Sequence, residues 1–537
     1  MKPRIRVQAR SVAVPARPRA SLETAQPYDA GDVLSSNLSA WAPFRDHPDN
    51  EIGWGRDAVT ARARDLVRNN GYAAGGVRRE VESVIGASFR PSARPDWRAL
   101  GIDRATAIEI GQQMDAAWRE WADDPRCLCD VTRVHGFSGL AGLAYLSYLL
   151  DGDGIGVLHW EDTSWDWRTR LRVVDPDLLE QPWNVPDRRD LRGGIELDAH
   201  GAARAYHFRR DHPLALYPGA EFSWDRVERE TPWGRPVVAH FFDKQRDGQT
   251  RGISRLATVI ESLKMGDKYS RVELQAAVLG AILGLYVSSP LGPEVVRDMI
   301  DDGKFVALDD ARRALIGENG LTFGGVRIPV LPPGDTIESV SVNRPGNQFE
   351  AFSRSVLRNI AAGLGTSYEQ LAMDYSQTNY SSMRAALLEV WRGWTARRIA
   401  FGQRWCGSVR FAVMEEAFDT GRVTLPAGAP DFYEAPGAWL RCKWIGPGRG
   451  FVDPVKEVQG AALRVAGGFS TMEDEAAELS GSDYAENLAQ IRREIDEMPE
   501  GVLHPAQERF AELLGPAAAG APTDGEAANR RTQEGQP

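Results

Sequence analysis

Residues 360–394 read IAAGLGTSYEQLAMDYSQTNYSSMRAALLEVWRGW, and the order of residue types here sets the architecture on either side. Ile360, Ala361 and Ala362 close a helical run, and Gly363 and Gly365 supply the backbone freedom to stop it. Asp374 through Ser382 is too polar for a core and carries few charges, so it reads as a loop with exposed aromatics. Met383, Ala385, Leu387, Leu388, Val390 and Trp391 follow on a long new helix, with Ser381 or Ser382 placed to cap it. Periodicity alone describes a helix, a loop and a helix, without a catalytic constellation.

Upstream of the loop, Phe349, Phe352, Val356, Leu357 and Ile360 fall at helical spacing within 348–362. Before them, 290–345 mixes an acidic helical patch with strand-like runs such as 326–331. Before that, a helix runs from Ile253 to about Val287, ended by Pro290 and Pro293. Its length would reach about 50 Å at 1.5 Å per residue. Residues 57–125 are helical in pattern, with a stop signal at Asn69-Asn70-Gly71. From about 130 to 250 the character changes to short β-like runs at 154–160, 171–175, 194–197, 203–208 and 236–242, separated by Gly, Asp and Pro. The pattern predicts a mixed α+β domain, then a long helix, a small β-rich insert, a helix, a polar loop and another long helix. Lys2, Arg4, Arg6, Arg10, Arg17 and Arg19 precede the first acid, Glu23, so 1–30 reads as a flexible basic arm. Residues 515–537 are poor in large apolar side chains and read as a disordered tail.

At 537 residues the chain can bury more than one core, and 42% hydrophobic with 26% charged residues is the composition of a folded soluble protein. A net charge of −11 argues against a protein that grips nucleic acid over a broad surface. It leaves room for one past which DNA slides, where tight phosphate contacts would act as a brake. Cys127, Cys129, Cys406 and Cys442 lack the spacing of a metal or disulfide framework and read as reduced structural thiols. The N-terminus lacks the apolar core of a secretory signal, and no apolar run approaches the roughly 20 residues that cross a bilayer. The expectation is a soluble, cytoplasmic product.

Motifs for chemistry are missing. Gly303-Lys304 is followed by Phe305, so no phosphate loop with its magnesium-binding hydroxyl exists. No G-x-S-x-G elbow or helical His pair is present. Asp151-Gly152-Asp153-Gly154 lacks the later ligands of a calcium loop and reads as a turn. Neither a metal nor a cofactor is expected. The acids between 471 and 500, ten against Arg492 and Arg493, read either as a solvated helical face or as a surface that repels phosphate.

The stretch quoted above resembles the portal proteins of tailed phages, specifically the lambda-like branch. The resemblance rests on GLGTSYEQL at 363–371, NYSS at 379–382 with Arg384, and the Trp-containing helix behind them. Four more blocks keep the family's order: RDLVRNNGYAAGGV at 64–77, RPDWRALGI at 94–102, DGQTRGISRL at 247–256 and WIGPGRGFVDPVKEVQ at 444–459.

The resemblance implies a mixed α+β portal fold with wing, helical stem, clip and crown, assembled as a closed ring of about twelve copies. It places the wing at 31–251, stem helices at 252–287 and 346–365, the clip at 288–345 and a tunnel loop at 366–382. The wing helix and its return follow at 383–454, and the crown at 455–514. It implies a non-enzymatic portal protein at one capsid vertex of a virion or prophage-derived particle, assembled in the bacterial cytoplasm. Its roles would be head assembly nucleation, genome packaging with the large terminase subunit, and DNA ejection. The other expected partners are head-completion or connector proteins, the major capsid or scaffold protein, and double-stranded DNA in the channel. Ser376, Gln377, Thr378, Asn379 and Tyr380 would touch that DNA through weak, sequence-blind contacts. Two readings stand for Lys264, Lys268 and Arg271 on the first stem helix: contact with phosphate, or pairing with Asp267 and Glu273. A nucleic-acid-processing enzyme and a different capsid component are the competing classes. The first would need a metal or nucleotide cluster, and the second would not form a free ring.

Overall fold

The computed structural model describes residues 40–282 and 349–499, apart from short stretches at 42, 163–166, 183–184, 213 and 216–221. It adds His504 and four short strands between 286 and 338. The arm at 1–30, most of the clip at 288–345, the end of the crown and the tail at 515–537 lie outside the described residues.

Helices α1 (Pro48–Gly53), α2 (Arg56–Asn69) and α3 (Gly71–Val84) open the described chain. Asn70 ends α2 and caps α3, its side-chain oxygen accepting from the Tyr72 and Ala73 amides at 3.1 and 3.0 Å. Strand β1 (Arg90–Ala93) and α4 (Trp97–Leu100) lead into α5 (Arg104–Ala122) and α6 (Phe137–Asp151). These two long helices bring Trp118, Trp121, Phe137, Tyr145 and Tyr148 into one buried cluster. Trp118 meets Phe137 edge-on with ring centroids 4.7 Å apart, an arrangement that aromatic quadrupoles favour.

The β-like runs form two antiparallel sheets. In the first, β2 (Gly154–Trp160) lies between β3 (Thr169–Val174) and β8 (Val238–Phe241), with Ile155 opposite Val174 and His240. The second has four strands in chain order, β4 (Leu191–Arg192), β5 (Ile195–Leu197), β6 (Ala203–Arg209) and β7 (Trp224–Glu228).

The 151–154 turn does more than reverse the chain. Asp153 is fully buried and accepts from Arg251 Nε at 2.7 Å, Arg56 at 3.0 Å and the Gly252 amide at 2.8 Å, and its other ion partner is His240 at 3.0 Å. Arg251 also donates to the carbonyls of Leu179, Pro176 and Gly193, so one guanidinium ties the 151–154 turn to the turns at 176–179 and 193. Burial alone would push the Asp153 carboxyl up, but Arg251, His240 and Arg56 together hold it well below the usual carboxylate range. The crossing needs two glycines. A Cβ on Gly252 would lie 1.9 Å from the Gly152 carbonyl oxygen, and Gly152 itself has φ +88°.

Helix α7 spans Ile260–Ile282, shorter than the pattern from Ile253 to Val287 predicts. At its start, Ser254 and the Arg255 amide both donate to the Leu149 carbonyl, which commits 254–259 to turns. At its end, β9 (Tyr286–Ser288) pairs with β12 (Thr336–Glu338), while β10 (Leu321–Phe323) pairs with β11 (Val326–Ile328). Helix α8 (Phe349–Leu364) packs on α7 through Tyr269, which stacks on Phe349 at 5.6 Å and meets Phe352 edge-on at 4.8 Å. A Cβ on Gly363 would sit 2.4 Å from a Val259 methyl, so this glycine serves a close crossing and the helix stops later, at Gly365 with φ +70°.

After α9 (Tyr368–Ala372), α10 (Tyr380–Phe401) continues through a π-helical turn at Gly402–Cys406 into α11 (Gly407–Asp419). A Cβ on Gly402 would fall 2.7 Å from the Trp444 indole, which packs there from β13 (Cys442–Ile445), the partner of β1. Short α12 (Pro436–Trp439) precedes β13. Helices α13 (Pro454–Ala466), α14 (Met472–Leu479) and α15 (Tyr484–Glu497) complete the described chain. Their acids are neither a bare solvated face nor a uniform repelling one. Glu473 pairs with Arg94, Asp474 with Lys443, Glu475 with Arg464, and Glu486 with Arg90. These ion pairs fasten α14 and α15 to the body and leave Glu494, Asp496 and Glu497 toward solvent.

Candidate nucleic-acid interface

The loop at 366–382 grows out of the base of α8, where Ile360, Ala361 and Leu364 are buried. The Gly365 and Thr366 amides donate to the Ala362 and Ala361 carbonyls, which satisfies the end of the helix. Ser367 then caps α9, accepting from the Gln370 amide at 3.2 Å. Leu371 is buried against α3, where a Cβ on Gly76 would lie 3.1 Å from its methyl. One side of the loop is therefore anchored in the core.

The other side is exposed and held by its own hydrogen bonds. Met373 ends α9 with φ +54°. Asp374 accepts from the Ser376 amide at 3.1 Å, the Ser376 hydroxyl at 2.6 Å and the Tyr368 hydroxyl at 3.0 Å. The Ser376 bonds hold the Asp374 carboxyl below its ordinary value. Gln377 accepts from Arg354 of α8 at 3.3 Å, and the Thr378 hydroxyl donates to the Tyr375 carbonyl at 3.2 Å. Asn379 accepts from the Ser382 amide at 2.8 Å and is the cap of α10. The expectation that Ser381 or Ser382 caps this helix is corrected: it begins at Tyr380, because Asn379 stands at the right spacing from Ser382. Ser376, Gln377, Thr378 and Asn379 thus lie together in the loop, while Tyr380 is the first residue of the helix behind it. Exposed Met373 and Tyr375 and the buttress Arg354 belong to the same surface and were not singled out from the sequence. Arg354 stands five and two residues from Phe349 and Phe352, which sets it on the helix face opposite the apolar one, and that was the available signal for the last.

Lys264, Lys268 and Arg271 follow one another along an exposed face of α7. Lys264 approaches Asp65 of α2 at 3.8 Å, and Arg271 pairs with Asp267 one turn earlier at 3.1 Å. Among the described residues no acid pairs with Lys268. Among the described residues, no hydrogen bond or ion pair joins the three to Ser376, Gln377, Thr378 or Asn379.

Asp175, Asp177 and His212 are the one set of acid and imidazole groups spaced like metal ligands among the described residues. Arg64 already occupies it, donating to Asp177 at 2.7 Å and Asp175 at 2.9 Å. Among the described residues, no helix is long and apolar enough to cross a membrane.

Residues 35–398 match the family described as phage portal protein, lambda family. Portal protein B of Escherichia phage lambda is 34% identical over 490 residues, covering 89% of this chain and 91% of that protein. The portal protein of Escherichia phage N15 is 35% identical over 488 residues, with 89% and 91% covered. A solved chain from the neck of an empty GTA particle superposes with a TM-score of 0.39 at 15% identity, over 82% of this chain and 96% of that one. The matched span takes in both antiparallel sheets, the packed helices α7 and α8 and the polar loop, and the chain belongs to the lambda family of phage portal proteins.

Proposed function

We propose that this portal protein closes into a ring of about twelve copies at one capsid vertex, a non-enzymatic conduit for double-stranded DNA during packaging and ejection. In this reading α7 and α8 are the stem, 366–382 projects into the axial channel, and 31–251 with 383–454 forms the wing. The segment 288–345 is the clip on which the large terminase subunit docks, replaced later by head-completion proteins. The crown, 455–514, faces the capsid interior, and the ring nucleates assembly of the major capsid or scaffold protein around it.

The observation that carries this reading is the construction of the loop. It is anchored at its two ends by Leu371 and Asn379, and the stretch between them, 372–378, has a single carboxylate, Asp374, already engaged by Ser376 and Tyr368. Such a surface offers a phosphate polymer few strong contacts, which suits sliding.

Electron microscopy and mass photometry of the purified chain test the ring. Closed rings with an axial hole, at about twelve chain masses, are expected. A compact monomer that persists on co-expression with head proteins would overturn the reading. Removing Ser376–Thr378, which spares the Asn379 cap, should leave rings intact and lower the packaged DNA.

A further inference from the structure

Two features of the wing lie outside everything assigned above. The first is an aromatic edge where the described chain begins. Trp41, Phe44 and Trp54 are 71%, 93% and 90% exposed, three large apolar side chains within fourteen residues of the kind that mark a partner surface. They flank α1, which is fixed rigidly: Asp49 accepts from the Thr250 amide at 2.8 Å and from Arg192 at 2.9 Å. The second is an open cavity of about 700 Å³ lined by Trp160, Trp233, Leu425 and Tyr433, with Asp419 and Asp431 at its rim. Among the described residues no basic side chain pairs with either rim acid.

We propose that the aromatic edge of one copy seats in this cavity of the next copy, as the wing contact of the ring. The inference rests on the ring reading and adds the surfaces that close it. Two arguments support it. The two features lie at opposite ends of β2. Arg56, two residues after Trp54, reaches Asp153 just before the strand, while Trp160 ends it. Six residue steps along a strand span about 20 Å, so one copy presents donor and acceptor on different sides. A closed ring of identical subunits requires that head-to-tail arrangement.

Charge does not oppose the contact. Of the acids between Trp41 and Trp54, Asp49 pairs with Arg192 and Glu51 with Arg246, and Asp46 stands beside Arg45. The acceptor lining carries Asp419 and Asp431. Area also fits. Three aromatic side chains bury on the order of 450–750 Å², most of the roughly 800 Å² per partner of a standard interface. Rings seated centrally in a pocket are the side chains that dominate such contacts.

Cysteine pairing in the full chain tests the contact directly. Phe44→Cys with Trp233→Cys, mildly oxidised, should give a ladder of linked chains that reduction abolishes and that neither single variant shows. Absence of the ladder overturns the proposal. A disulfide at monomer mass overturns it too, since the edge would then lie on its own cavity.

Two surface variants give a second readout, each first checked for an unchanged thermal transition. A donor variant, Phe44→Glu with Trp54→Glu, and an acceptor variant, Trp233→Glu, should each weaken assembly roughly tenfold or more. Mixed one to one, they should form dimers and no rings, because each such pair keeps one intact contact. Wild-type rings alongside unchanged rings from both variants would leave the ring reading standing and remove this contact. A ladder without wild-type rings would keep the contact and remove the closed ring.

Discussion

The Asp153 hub and the 374–379 loop are both polar, Gly/Asp- or Ser/Asn-rich turns, yet they are built on opposite plans. The hub buries one carboxylate among two guanidinium groups, an imidazole and a backbone amide, contributed by residues as far apart as Arg56 and Gly252. The loop hydrogen-bonds almost entirely to itself and to its own flanking helices, and Tyr375, Ser376, Gln377 and Asn379 stay exposed. A long-range network in low dielectric fixes the relative position of α2, α6, β2 and the chain before α7. A local network in water fixes only the shape of the loop. The first suits a frame that transmits load, the second a surface that many copies present to a moving polymer.

The largest expected effect lies at the hub. Asp153→Ala leaves Arg251 and Arg56 buried without their counter-charge and should cost about 3–5 kcal/mol in chemical denaturation. The pH dependence has a definite sign. The folded carboxyl is held below its ordinary value, so its contribution is complete above the ordinary carboxylate range and is lost as pH falls through the depressed value. Wild-type stability should therefore fall in strong acid, and Asp153→Asn should flatten that limb. A variant with unchanged stability and an unchanged acid limb would break the contrast between the two regions.

Gly363→Ala comes next, at the crossing that joins frame and loop. Gly363 is exposed, but the added methyl would collide with the buried side chain of Val259, whose branched Cβ leaves it little freedom to move aside. Overpacking of this kind costs about 1–3 kcal/mol. Alanine is otherwise the better helix former, so a stabilised variant would show that the α8 base yields freely.

Asn379→Ala removes the cap of α10 and should cost about 1 kcal/mol, while Asn379→Asp should retain most of it. The contrast sharpens the reading of the loop: its far anchor is a helix cap worth an ordinary amount, and faster amide exchange should be confined to the first turn of α10. Exchange that spreads into the hub would merge the two regions into one network.

How far the sequence could see follows the same division. The helices at 56–84 and 104–122 and the strands at 154–160 and 203–209 were legible because periodicity and turn residues are local signals. So was the loop itself. The sequence points to Ser381 or Ser382 as the cap rather than Asn379 because Ser and Asn are equally good caps, and only the bond from the Ser382 amide decides. The pattern predicts a helix from Ile253, longer than α7, because Leu256, Val259, Ile260 and Leu263 keep helical spacing, yet the Leu149 carbonyl holds the start of this stretch in turns. The sequence shows only a turn at the hub, since its partners Arg56, His240 and Arg251 are about a hundred residues away along the chain. The acids of α14 and α15 were similarly ambiguous until Arg94, Lys443 and Arg90 were seen to face them.

The smallest effect on stability, and the most direct test of the loop's role, is Gln377→Lys. The site is exposed and its one hydrogen bond, from Arg354, is long, so the change should stay within about 0.5 kcal/mol and leave ring assembly as it was. Its effect on DNA should be of another kind. Each copy would bring one cation to the surface proposed to face the channel, and a ring would multiply that by about twelve. Each phosphate contact adds about 0.9 to the slope of log affinity against log salt. DNA release from filled particles should therefore slow at about 50 mM salt and recover toward wild type near 200 mM, while Gln377→Ala should show no such salt dependence. A Lys variant indistinguishable from wild type at low salt would place this surface away from the DNA. The near-neutral loop would then be a matter of folding rather than of passage.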